Sequence, residues 1–108
     1  MTNKEPLVSI IVRTKNEERW ISSCLRSIYQ QSYKQVEVVL VDNESTDMTV
    51  KKSKEFPVKL ISIKGFLPGK SINDGIKASN GDYIVCISGH CIPTNNEWLE
   101  KLIKNLNN

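Results

Sequence analysis

Runs of mostly apolar residues alternate along this chain with segments whose apolar residues recur at helical spacing. The first run covers 7–12, and further runs cover 36–42, 58–63 and 82–87. A short run that is apolar at nearly every position is typical of a strand covered on both faces, and the first two runs have this character. The pattern predicts four strands, with the first one central in the sheet.

Helical spacing predicts one helix after each strand. The first covers about 17–31 with Asn16 available as its N-cap, and Ser45, Thr46 and Asp47 can cap a short second helix towards Phe56. A third helix runs from about 70 to the stop at 80–81, and 94–97 has the spacing of a capping box for the fourth. The apolar stripe of the fourth helix is Trp98, Leu99, Leu102, Ile103 and Leu106.

Strands that alternate with helices predict right-handed βαβ units. The expected fold is α/β: a three-layer α/β/α sandwich with a mainly parallel sheet of about four strands. A chain of 108 residues fits one domain, so 1–108 is treated as a single unit. Ligands of such sheets bind outside the carboxyl ends of the strands, so the loops after each strand are the candidate site.

Composition and charge narrow the function classes. Fifteen basic and twelve acidic residues give a net charge of +3, and the lysines are scattered among carboxylates, so no nucleic-acid partner is expected. No apolar run approaches the ~20 residues of a membrane span, and the N-terminus does not resemble a secretory signal. Cys24, Cys86 and Cys91 are unevenly spaced, which favours reduced thiols, mostly buried, and a cytoplasmic location.

The loops at 13–17 and 42–47 are rich in hydrogen-bonding groups. A carboxylate such as Asp42 at the end of a strand can accept hydrogen bonds from ribose hydroxyls or a base N–H, and Thr14 and Asn16 offer further groups. These residues predict a nucleoside pocket. The alternative is structural: Asn16 and Ser45 cap helices and Asp42 begins a turn.

The third and fourth loops carry weaker signals. The third ends in Gly69-Lys70-Ser71, but its spacing is one residue short of a P-loop, so a Walker-type NTPase is not expected. Lys70 can contact a diphosphate at a helix start or remain a solvated lysine. In the fourth loop, Gly89 suggests close backbone approach, and structural zinc at Cys86, His90 and Cys91 is not expected because no second ligand pair is present.

Two segments, 8–17 and 38–47, together resemble glycosyltransferase family 2. The resemblance extends from Val8 to about Leu106 and implies a Rossmann-like fold of the A type and inverting transfer from a nucleotide sugar, commonly a UDP-sugar. It implies that Asp42 faces the base. The implied donor-nucleotide residues are Thr14, Asn16, Glu17, Asp42, Asn43, Lys70 and Asn73, and the implied diphosphate or metal loop is Ser88, Gly89 and His90.

Two departures from the family pattern affect the chemistry. Many members have proline where Arg13 stands, and Arg13 can instead hold a phosphate or an anionic sugar. The family's Asp-x-Asp motif corresponds to Ser88, Gly89 and His90, so both carboxylates that would hold Mn²⁺ or Mg²⁺ are missing. His90 is then either a Mn²⁺ ligand or a direct hydrogen-bond partner of the diphosphate.

The resulting expectation is the donor-binding part of a glycosyltransferase. By resemblance, the catalytic base is a carboxylate of the C-terminal half, so no catalytic residue is assigned and the chain is expected to be inactive alone. The partners are a nucleotide-sugar donor and an unidentified acceptor: a glycan, a lipid-linked sugar or a protein. Peripheral membrane association of the full enzyme and a homo-oligomer formed through the last helix stay open. The alternative function is a non-catalytic nucleotide-binding or scaffold module.

Overall fold

Strands and helices alternate throughout the computed structural model, which describes residues 5–65 and 68–106. This confirms the predicted α/β fold. In the described part no helix has both the length and the apolar character needed to cross a lipid bilayer. The elements are β1 (Val8–Thr14), α1 (Ile21–Tyr29), β2 (Val36–Asn43), α2 (Thr49–Ser53), β3 (Val58–Ile63), α3 (Pro68–Lys77), β4 (Tyr83–Ser88) and α4 (Trp98–Leu106).

The four strands form one parallel sheet in the order β3-β2-β1-β4. The prediction that β1 is central is therefore confirmed. Thr14 at the end of β1 pairs in register with Asp42 of β2, and Arg13 pairs with Ser88 of β4. The carboxyl ends of β1, β2 and β4 consequently lie side by side.

Helices cover both faces of the sheet. Side chains alternate between the two faces along each strand, so one strand contributes apolar residues to a core on each side. On one face, Val8, Ile10 and Val12 of β1 pack in a core with residues of α1 and α4. On the other face, Ile11 belongs to a smaller core with Val39 and Val41, and α3 lies over β1 and β2. The near-continuous apolar run of β1 follows from this burial on both faces.

Two strands extend further than the sequence indicates. β1 ends at Thr14 and β2 at Asn43, so Arg13, Thr14 and Asn43, which were expected in loops, are the last residues of paired strands. The ladder continues because Arg13 and Thr14 still have partners on neighbouring strands. Their side chains therefore point alternately to opposite faces of the sheet.

The helix boundaries differ more from prediction. The expectation that α1 begins near Glu17 with Asn16 as N-cap is wrong: α1 begins at Ile21, and Asn16 has a left-handed φ of 52°. An N-cap residue typically has extended backbone angles, which Asn16 does not have, and Trp20 occupies the N-cap position instead. Before α4, the backbone N–H of Glu97 donates to Oδ1 of Asn95 at 2.9 Å, so Asn95 rather than Thr94 supplies the side-chain acceptor.

The apolar stripe of α4 packs on the chain's own sheet. Leu99 and Ile103 are buried in the larger core, and Trp98 and Leu102 pack against it. The buried side chain of Gln31 fastens the start of α4, because its amide donates to the carbonyl of Asn95 and its oxygen accepts from the backbone of Leu99. This helix is therefore part of the fold, with Leu106 left exposed.

The expected burial of the cysteines holds for one of the three. Cys24 is buried in α1, whereas Cys86 and Cys91 are exposed. β4 is an edge strand. Its residues Ile84 and Cys86 point to the same side of the sheet as α3, but α3 lies over β1, β2 and β3 and leaves these two side chains exposed. The prediction of buried Cys86 and Cys91 is wrong: Cys86 is on an edge strand, which the apolar pattern does not reveal, and Cys91 lies in the exposed loop after β4.

Candidate functional site

An open cleft of about 190 Å³ lies at the carboxyl ends of β1, β2 and β4. Parallel α/β sheets bind their ligands at this edge. Its polar lining comes from the ends of these three strands and from the loop after β1. The described residues that line it are Arg13, Thr14, Lys15, Glu17, Val41, Asn43 and Ser88.

Asp42 connects the segments that surround the cleft through three hydrogen bonds. Its Oδ1 accepts from the hydroxyls of Thr14 (2.6 Å) and Ser45 (2.5 Å), and its Oδ2 accepts from the backbone N–H of Ser45 (3.0 Å). Asp42 is 3% exposed. The carboxylate therefore joins β1, β2 and the loop after β2, and in this structure its hydrogen-bonding capacity is largely used within the protein.

Asn16 joins the same two loops from the other direction. Its backbone N–H donates to the hydroxyl of Ser45 at 2.9 Å, and its Oδ1 accepts from the backbone N–H of Thr46 at 2.8 Å. The backbone N–H of Glu17 donates to the hydroxyl of Thr49, the first residue of α2. These contacts hold the loop after β1 in one position against the loop after β2.

Two buried polar atoms in the cleft have no protein partner in the described part of the chain: Nε of Arg13 and Oδ1 of Asn43. Both residues lie on the α3 side of the sheet, whereas Thr14 and Asp42 point to the opposite side. Asn43 is only 6% exposed. Because buried polar groups are nearly always hydrogen-bonded, Arg13 and Asn43 are the lining residues whose hydrogen-bonding capacity is left over for a ligand after a side-chain adjustment.

Glu17 and His90 meet at the rim of the cleft. Nδ1 of His90 lies 3.3 Å from Oε1 of Glu17 and 2.8 Å from the hydroxyl of Ser88. The His90 side chain is 61% exposed and that of Glu17 is 19% exposed. With Nδ1 in contact with both neighbours, Nε2 is the ring nitrogen that remains for a ligand.

Gly89 lets the loop after β4 approach the loop after β1. A Cβ atom at this position would lie 2.7 Å from Cγ2 of Thr14 and 3.3 Å from Cγ of Glu17. The backbone N–H of Gly89 also donates to the carbonyl of Arg13 at 2.9 Å. The close approach expected from the sequence is therefore made to the protein's own β1 loop.

The remaining candidate residues lie apart from this lining. Lys70 and Asn73 are exposed residues of α3 and are not among the described residues that line the cleft. Lys15 does line it and was not among the predicted site residues. Its position between Thr14 and Asn16 was the available signal.

The donor atoms at the Asp-x-Asp positions do not fit a chelated divalent cation. Ser88 and Gly89 offer no carboxylate, and His90 offers one imidazole nitrogen. Within 5–65 and 68–106, no three His, Cys, Asp or Glu side chains come together in a way that could hold a metal ion. Mg²⁺ and Mn²⁺ prefer carboxylate oxygens, and this loop supplies none.

Residues 9–108 match the family model described as Glycosyl transferase family 2. The chain belongs to this family. A glucuronosyltransferase of Methanococcus voltae, named as acting on dolichyl N-acetyl-α-D-glucosaminyl phosphate, is 35% identical over 80% of this chain and 30% of the relative. The poly(ribitol-phosphate) β-glucosyltransferase of Bacillus spizizenii is 32% identical over 74% of this chain and 14% of the relative.

Solved structures of glycosyltransferases share the fold. A mannosyltransferase of Pyrobaculum calidifontis, in complex with GDP-Man and Mn²⁺, has a TM-score of 0.86 and 25% identity, covering 97% of this chain and 33% of that chain. Staphylococcus aureus TarS 1-349 with UDP-GlcNAc has a TM-score of 0.79 and 27% identity, covering 94% and 31%. The predicted Rossmann-like A-type fold and the family are confirmed, and this chain spans about a third of these neighbours.

Proposed function

We propose that this chain binds the nucleotide-sugar donor of an inverting glycosyltransferase, and that the donor is a UDP-sugar. The observation that carries the proposal is the cleft at the carboxyl edge, with the unpartnered Oδ1 of Asn43 in its lining. Support comes from TarS, a relative of the same fold whose structure holds UDP-GlcNAc.

The cleft suits a nucleoside because its walls are fixed before a ligand arrives. Asn43 provides an acceptor for a ribose hydroxyl or a base N–H, and Thr14 and Asp42 hold the ends of β1 and β2 together beneath it. A site whose groups are held by further hydrogen bonds loses little freedom on binding. We assign Asp42 and Asn16 this supporting role and Asn43 direct contact with the nucleoside.

In inverting transfer, an acceptor hydroxyl attacks the anomeric carbon while the bond to the nucleoside diphosphate breaks. A base removes the proton of the hydroxyl, and positive charge stabilises the leaving diphosphate. We propose only the second task for this chain. The base is unassigned, and Nε2 of His90, at the rim of the cleft, is the nitrogen that we propose for a direct hydrogen bond to the diphosphate.

The acceptor is proposed from the names of the relatives. Two of the relatives are named for acting on a dolichyl-linked sugar phosphate and on poly(ribitol-phosphate). A lipid-linked or polymeric glycan is therefore the acceptor class that we propose for the full enzyme. We propose the cytoplasm as its location because Cys24, Cys86 and Cys91 are free thiols.

Calorimetric titration with UDP, GDP and dTDP tests the donor site directly. We expect selective UDP binding that Asn43→Ala weakens by about tenfold, as for the loss of one hydrogen bond to a ligand. Asn105→Ala, at an exposed position of α4, is the matched control and should bind normally. Failure of all three nucleotides to bind would contradict the proposal.

A non-catalytic binding module is the second candidate. The serine and histidine at the Asp-x-Asp positions favour it, because a lost metal site is one way for an enzyme to lose activity. UDP binding by the full-length protein without release of UDP from UDP-glucose or UDP-GlcNAc, in the presence of lipid-linked and polymeric acceptors, would support the module over the enzyme.

A further inference from the structure

Arg13 lies at the end of the central strand, between Val41 of β2 and Ser88 of β4. We propose that its guanidinium binds the anionic diphosphate of the donor and supplies the positive charge at this group. Donor binding is then independent of a divalent cation. In the mannosyltransferase complex, Mn²⁺ is present together with GDP-Man. This inference rests on the proposed function and adds to it the residue and the charge that hold the leaving group.

Arg13 has no acidic partner among the described residues. The side chain is partly buried, and its Nε is buried without a partner. The ion pairs found in the described part are His90–Glu17 and Lys101–Glu97, and neither involves Arg13. A partly buried guanidinium that lacks a counter-charge is a favourable partner for an anion bound in the cleft, because the anion would supply both charge and hydrogen-bond acceptors.

A guanidinium and a phosphate group match in charge and in the geometry of their hydrogen bonds. Arg presents a planar set of N–H donors that matches phosphate oxygens in pairs, and these charge-assisted bonds are about twice as strong as neutral ones. Arg13 and Lys15 are the strongly basic residues in the described lining, and Glu17 is its acidic residue. Glu17 lies at the rim, where its Oε1 is 3.3 Å from Nδ1 of His90, so this carboxylate already has a partner within the protein.

The loop after β4 is poorly suited to hold a divalent cation. The loop after β4 offers one imidazole and no carboxylate, so a cation there would have little to hold it besides the diphosphate. Arg13 is paired in register with Ser88, the residue at the first Asp-x-Asp position. Arg13 therefore lies on the strand adjacent to Ser88, the position at which the family pattern places a cation ligand.

The anion could also belong to the sugar, since the Methanococcus relative is named for transferring a glucuronosyl group. The chemistry shared by both sources is a negatively charged oxygen group at Arg13. We favour the diphosphate because every nucleotide-sugar donor of this kind carries one. Comparing UDP-glucuronate with UDP-glucose distinguishes the two: a preference for UDP-glucuronate that Arg13→Gln abolishes, with UDP unaffected, would overturn the assignment to the diphosphate.

The test is calorimetry of the chain with UDP and uridine, in EDTA and with added Mn²⁺. We expect UDP to bind equally well in both buffers. Arg13→Gln should weaken UDP by about tenfold or more, the cost of a charge-assisted hydrogen bond, and leave uridine unchanged. Arg13→Lys, which keeps the charge, should retain part of the UDP affinity. Arg19→Gln, which removes the same charge from an exposed position stacked on Trp20, is the control.

The alternative outcomes are distinct. UDP binding only with Mn²⁺ would overturn the inference while the proposed function stands. Equal weakening of UDP and uridine by Arg13→Gln, or equal losses for the Gln and Lys variants, would mean that Arg13 acts through packing or the nucleoside and would also overturn it. Absence of binding to either ligand by the unmodified chain would remove the proposed function and this inference together.

Discussion

The hydroxyl of Thr14 donates a hydrogen bond of 2.6 Å to Oδ1 of Asp42, between two residues that are 28 positions apart in the chain. Both residues are buried at the ends of neighbouring strands. The carboxylate also accepts two bonds from Ser45, so one side chain holds β1, β2 and the next loop together. The shape of the cleft depends on this junction.

Replacing Thr14 with Val should destabilise the protein. Val keeps the shape but removes the hydroxyl, which leaves a buried carboxylate with one hydrogen bond fewer, at a cost of about 1–3 kcal/mol. Urea unfolding measures the change in the free energy of unfolding. Thr14→Ser, which retains the hydroxyl, is the control and should lose less; an equal loss in both variants would assign the effect to the methyl group instead.

Replacing Gly89 with Ala should disturb the contact between the loops after β1 and β4. The new Cβ would lie 2.7 Å from Cγ2 of Thr14, so one loop must move, at a cost of about 1–3 kcal/mol. We expect a lower melting temperature and weaker UDP binding. Gly69→Ala is the matched control, because a Cβ there meets no atom within 4 Å and Ala favours a helix; an unchanged Gly89→Ala protein would show that the loops are not in contact.

Glu37 should make stability depend on acid pH. Its burial alone would raise the pKa, but hydrogen bonds from the backbone N–H of Asn80 and the hydroxyl of Ser9 lower it below the ordinary 4.5. The stabilisation is therefore complete above about pH 4.5 and is lost as the pH falls through the lowered value. Glu37→Gln should reduce the free energy of unfolding near neutral pH and have less effect in acid.

Urea unfolding of both proteins at about pH 7 and about pH 3 checks this difference. Glu55→Gln, at an exposed position, is the control and should behave alike at both values. A Glu37→Gln effect that is the same at neutral and acid pH would contradict the argument, because it would then come from packing alone.

The three cysteines should differ in reactivity. Burial, followed by the nearby Cys91 and Glu17, raises the pKa of the Cys24 thiol to about 12, so little thiolate is available there. Iodoacetamide should therefore modify the exposed Cys86 and Cys91 in the folded protein, and Cys24 only after unfolding. Mass spectrometry of peptides with and without guanidinium distinguishes the sites. Cys24 labelling as fast as Cys86 would contradict the burial of α1 on the sheet.

Several features follow directly from the sequence because they depend on neighbouring residues. The run from Val8 to Val12 requires burial on both faces, and β3 occupies the predicted 58–63 without change. Parallel strands bring their carboxyl ends together, so the convergence of Thr14 and Asp42 could be predicted as well. The start of α1 could not, because the left-handed Asn16 is held by Ser45 and Thr46 from the loop after β2.

The sequence by itself determined the alternation of strands and helices, the parallel sheet and the family, because hydrophobic period and two local motifs carry that information. The tertiary structure alone decided to which side of the sheet the polar residues of those motifs turn. Thr14 and Asp42 turn to one side and bond to each other, whereas Arg13 and Asn43 turn to the α3 side with atoms unpartnered. That division depends on strand register and on contacts between distant segments, which no local pattern contains.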